Sequence, residues 1–192
     1  MKKLSLVVLA TLSTLMVVAQ NDIARVENIK GVYVFTDNTP LAEYDVLGEV
    51  SFQDDWYSAF SSLPPRYVQI RMGLVINAVL ANREVEGIIT DIHDDGTGTA
   101  TMIKFKPNAK DRDLAKVNSY KNLLYFSDCQ PVAPYELIKA VNGPSSYRYG
   151  LVRKHFLKKT RKLGLRNKGI EAVIVQYNKG INDKGQYIRF NK

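Results

Sequence analysis

The chain has 192 residues, 45% of them hydrophobic, which suffices to bury one large core or two small ones. Its formal net charge is +8, and a single cysteine, Cys129, excludes an internal disulfide. The charge is unevenly divided. Residues 20–110 carry 8 basic and 13 acidic side chains, net −5, whereas residues 111–192 carry 17 and 6, net +11.

The first residues read as an export signal, residues 1–19. Lys2 and Lys3 precede an uncharged apolar run from Leu4 to Val18, and Val17-Val18-Ala19 offers small residues for cleavage before Gln20. The apolar run is shorter than the roughly 20 residues a membrane span needs. No cysteine stands at the cleavage point, so the expected product is exported, periplasmic or outer-membrane-associated, and not lipidated.

Residues 32–36 read as a strand ended by the turn residues Asp37, Asn38 and Pro40. Residues 44–52 alternate as a second strand, with Leu47 an exception on the polar side. A loop follows with an aromatic cluster, Trp56, Tyr57 and Phe60, which offers ring faces for stacking. Residues 67–81 follow the 3.6-residue helical period. Residues 86–92 and 99–105 then form a hairpin pattern around His93-Asp94-Asp95-Gly96.

The order then repeats. Phe35-Thr36-Asp37, Pro40, Ala42 and Tyr44 recur at the same spacing as Phe126-Ser127-Asp128, Pro131, Ala133 and Tyr135. Strands at 123–127 and 135–141, a helix at 147–164, and strands at 171–176 and 185–190 complete the second copy. The expected fold is α+β: two tandem strand–strand–helix–strand–strand repeats, each with one helix on a small sheet. The boundaries are an acidic module at 20–106, a linker at 107–121 and a basic module at 122–192.

The first half resembles the envelope stress-sensor lipoprotein RcsF and the small YbjQ-like domains. The resemblance rests on Val32-Tyr33 with Thr36-Asp37, on the segment Tyr44-Asp45-Val46-Leu47-Gly48-Glu49-Val50-Ser51, on Arg71-Met72 and on the apolar strand at 87–92. It reappears more faintly at 123–190. The resemblance implies a compact envelope module that works by contact with other components. The sensor's lipidation and disulfide cysteines have no counterpart here.

No nucleophile elbow, phosphate loop, dinucleotide fingerprint or His-Glu-x-x-His motif occurs, so the chain reads as non-enzymatic and without a cofactor. The main functional expectation is the second helix and its flanks, where Arg148, Arg153, Lys154, Lys158, Lys159, Arg161, Lys162, Arg166 and Lys168 concentrate positive charge for an acidic envelope component. Nucleic acid is the less expected partner for an exported protein. Trp56 and Tyr57 are a second candidate contact. The first helix has no charge between Arg71 and Arg83, so Met72, Ile76 and Leu80 are expected to form an apolar partner seam. Docking of the two modules, or of two copies, is a further expectation from the opposite charges. The rival readings are a metal-dependent hydrolase using Asp91 to Asp95, or a purely structural subunit of an outer-membrane complex. Asp37 and Asp128 are read as Asx-turn residues, and Cys129 as a small turn residue.

Overall fold

A computed structural model describes residues 21–53, 67–143, 149–162, 168–177 and 183–191. The fold is mixed α+β, mostly strand, with two sheets and two helices among the described residues. In chain order the elements are β1 (Ile23–Ile29), β2 (Val32–Thr36), β3 (Asn38–Pro40), β4 (Tyr44–Phe52), α1 (Tyr67–Ala81), β5 (Gly87–Ile92) and β6 (Gly98–Phe105). They continue with β7 (Leu114–Val117), β8 (Leu124–Ser127), β9 (Cys129–Pro131), β10 (Tyr135–Asn142), α2 (Tyr149–Lys162), β11 (Ala172–Gln176) and β12 (Lys184–Phe190).

One sheet has eight strands, in the order β3-β7-β1-β2-β5-β6-β4 with β9 also paired to β1. The other has four, β10-β12-β11-β8. In the first, β2 runs parallel to β5, which pairs antiparallel with β6, and β6 with β4. In the second, β8 runs parallel to β11, which pairs antiparallel with β12, and β12 with β10. Both edge strands carry a register shift, at Val46/Gly48 in β4 and at Leu137/Lys139 in β10. A bulge turns the following side chains over. It explains Leu47, which packs against the core, and corrects the expected inward place of Val46, which is 62% exposed.

Four strands escaped the sequence reading, and they are the ones that join the halves. β1 lies between β7 and β9, and β7 also pairs with β3. The segment read as a linker therefore carries a sheet strand, with Ala115 and Val117 buried. Ala24 faces Ala115 at the centre of this group. Asn38 lies opposite Val117 as Val26 lies opposite Cys129, and Pro40 opposite Ala115 as Ala24 opposite Pro131. Each pair maps onto the other by the 91-residue spacing that separates Asn38 from Cys129. The same spacing relates two tight turns with left-handed backbone, Lys30-Gly31 and Lys121-Asn122, the pattern of a two-residue hairpin.

The core has two layers. Val34, Ile88 and Met102 face α1 through Ile70, Leu74 and Ala78, while Tyr125, Val173 and Tyr187 join a cluster with Val152 and Phe156 of α2. Phe35, Ile103 and Phe105 alternate to the other side of their strands and meet Phe126, Ile188 and Phe190 there. The helix-side layers touch where Tyr67 stacks on Tyr177, with ring centres 4.3 Å apart. Strand alternation thus gives the sheets two buried faces, and the helices keep one face each for solvent.

Candidate binding faces

α2 is amphipathic. Val152, Phe156 and Thr160 recur at four-residue intervals and are buried. Lys154, Lys158 and Lys162 lie on the opposite side, exposed, and make no ion pair among the described residues. The rest of the expected basic stripe is committed elsewhere. Lys159 donates to the carbonyl of Asn142 at 2.9 Å and ties the helix to the end of β10. Arg153 turns inward, donates to the Asp37 carboxylate at 3.2 and 3.3 Å, and lies over the Tyr120 ring at 4.6 Å. His155 beside these lysines is held below its ordinary pKa by burial and then by Lys159 and Lys162. Lys168 is exposed beyond the helix. Arg148 and Arg166, the side chain of Arg161, and Trp56 with Tyr57 lie outside the described residues.

The inward arginine has a counterpart. Arg71 of α1 is buried, with its side chain 4% exposed, and donates to Glu27 at 2.8 Å and to Asp128 at 3.3 Å. Asp128 also accepts the Tyr177 backbone N–H at 3.0 Å. The two ion pairs are reciprocal: each helix of one half reaches the aspartate that ends the β2 or β8 strand of the other. Asp37 and Asp128 both have left-handed backbone, φ 55 and 46, a conformation Asp tolerates better than most residues. The Asx-turn reading is therefore incomplete, because the carboxylates bind arginines across the molecule. The signal was present in the sequence. Tyr67 and Arg71 open α1 at the spacing with which Tyr149 and Arg153 open α2.

α1 presents the other face. Ile70, Leu74 and Ala78 are buried, while Val68, Ile76, Val79 and Leu80 are exposed, Leu80 by 79%. Met72 is half-buried. Counted from the tyrosine that begins each helix, Met72, Ile76 and Leu80 hold the same places as Lys154, Lys158 and Lys162. One helix shows solvent an uncharged face and the other a row of ammonium groups.

The hairpin between β5 and β6 does not gather a metal-ligand set. Asp95 accepts the backbone and side chain of Thr97, which lowers its pKa. Asp94 accepts the Gly150 N–H at 2.6 Å in the first turn of α2, where a carboxylate suits the helix dipole. Asp91 and His93 are left as an exposed pair 3.5 Å apart. Among the described residues, no group of three or more His, Cys, Asp or Glu side chains could hold a metal ion. A cleft of about 310 Å³ does open here, lined by Asp37, Asp91, His93, Asp94 and Arg153 among others. Its arginine and one aspartate already serve the contact between the halves. Cys129 is buried and its pKa is pushed up to about 12, chiefly by desolvation, so the thiolate needed for reactivity is suppressed.

No family model, curated protein or solved structure matches the chain. Among the described residues, no helix is long and apolar enough to cross a membrane.

Proposed function

We propose that the chain is an exported, non-enzymatic binding and assembly module of the bacterial envelope, made of two duplicated α+β units akin to the RcsF and YbjQ-like domains. The duplication is supported by the recurring sequence echo, the matching strand pairings and the reciprocal Arg71–Asp128 and Arg153–Asp37 contacts. The export reading rests on the Lys2-Lys3 and Leu4–Val18 signal. Function then lies in what the copies do not share. The observation that carries this is the row Lys154, Lys158 and Lys162, exposed and without an ion pair among the described residues, at the helix positions where α1 has Met72, Ile76 and Leu80. The lysine face takes an acidic partner, and the apolar face of α1 is the seam for a second component.

An ammonium group near an anionic surface contributes about 1 kcal/mol. Reversal of Lys154, Lys158, Arg161 and Lys162 to Glu is expected to weaken association with envelope extracts by at least about 100-fold at low salt. Added salt should weaken the parent protein progressively. Unchanged association of a folded reversal variant would overturn the assignment.

A further inference from the structure

Resting on that reading of α2, we propose that its acidic partner is a lipid surface: the lysine row docks on the phosphate groups of anionic headgroups, with Leu151 as its apolar contact. Lys154, Lys158 and Lys162 recur every fourth residue, so their attachment points advance about 6 Å at a time along one side of the helix. Leu151 stands three residues before Lys154 and seven before Lys158, which puts it on the same side, and it is 45% exposed.

The residue types favour a fluid, planar partner over a shaped protein surface. Arginine binds carboxylates as a fixed fork, whereas lysine is a point charge on a flexible stem. In α2 the fork of Arg153 is spent inside the molecule, on Asp37, and the point charges face outward. The clefts beside the helix are lined by Leu157 and Thr160, or by Gly150 and Arg153, and leave the three lysines outside them. A convex row of lysines around one exposed leucine can lie on a plane of headgroups, and the aliphatic lysine stems would cover apolar area beside Leu151 while the charges stay in water.

The test is sedimentation of the chain, purified after export, with vesicles of 30% phosphatidylglycerol in phosphatidylcholine. All-phosphatidylcholine vesicles and soluble polyglutamate are the comparison arms. The expected result is partition onto the anionic and not the all-phosphatidylcholine vesicles, about 100-fold weaker for K154A/K158A/K162A, with charge-driven binding to polyglutamate beside it. Leu151→Gln should lose about fivefold on vesicles and nothing on polyglutamate. Circular dichroism melts verify that each variant is folded. Polyglutamate binding without vesicle binding would overturn the lipid assignment and leave the acidic-partner reading standing. Failure to bind either would overturn both. Vesicle binding indifferent to Leu151→Gln would remove Leu151 from the contact.

Discussion

Asp128→Ala is expected to lower the unfolding free energy by about 3 kcal/mol. The Asp128 side chain is 8% exposed and that of its partner Arg71 is 4% exposed. Among the described residues Arg71 would keep only Glu27 as an ion-pair partner, and Glu27 is 47% exposed at its side chain and therefore well screened. The cost is sharpened by the guanidinium itself, whose Nε and Nη2 are buried without a hydrogen-bond partner. The Tyr177 N–H would also lose the carboxylate it donates to. Removing both charges behaves differently, because desolvating an ion pair offsets much of its attraction. The double variant Arg71→Met with Asp128→Leu should recover most of the loss. Urea melts on the two single variants and the double measure this coupling. A change under about 1 kcal/mol for Asp128→Ala would show that the pair is not a structural lock. The companion pair is more exposed, 29% for Arg153 and 17% for Asp37, so Asp37→Ala should cost less than Asp128→Ala.

Phe156→Ala is expected to cost about 4 kcal/mol. Its ring is fully buried, and a β-carbon added at Gly143 or Gly185 would fall 2.6 or 2.3 Å from it. Those two glycines exist to let the ring reach the sheet, so little nearby structure can collapse into the hole it would leave. The Phe156 carbonyl accepts the hydroxyls of Tyr187 at 2.7 Å and Thr160 at 3.1 Å, and these contacts would survive the truncation. The midpoint of thermal unfolding should fall by about 8–16 °C. The same change should loosen α2 and lower the affinity of the lysine face. A melting point unchanged within about 2 °C would contradict this account of how α2 is held.

The elements that carry strong periodicity were legible. The range 67–81 read from sequence coincides with α1, and the eight strands read around the two helices all appear, with ends moved by at most one residue. The outward side of α1 was legible in part: Ile76 and Leu80 of the expected seam are exposed, whereas Met72 is half-buried. Three of the four strands that join the halves were not legible, for physical reasons. β3 and β9 are three residues long and contain Pro40 and Pro131, so their composition signals a turn. β7 is four residues inside a charged stretch. Such strands are specified by partners distant in the sequence, and local pattern does not report partners.

The same limit hid the roles of the basic residues. Arg153 and Lys154 are adjacent in a run of positive charge, yet one is the inward lock on Asp37 and the other faces solvent. Helical geometry separates them by 100°, which a count of charges ignores. Only the recurrence of Arg at the fifth place of both helices distinguishes the structural arginine from the lysines, and that recurrence gains meaning once each arginine is seen to meet the other half's aspartate.

If binding resides in the outward faces of α1 and α2, moving the charge from one helix to the like positions of the other should move binding with it. A transplant checks this. In a chain whose Lys154, Lys158 and Lys162 are replaced by Ala, Met72, Ile76 and Leu80 are changed to Lys, and polyglutamate binding is measured by titration. The expected result is that the first three changes weaken binding about 100-fold and that the second three restore it to within about tenfold of the parent, since ammonium groups at like helical positions supply like charge. A folded transplant that stays inert, or a lysine-depleted chain that binds as the parent does, would contradict it.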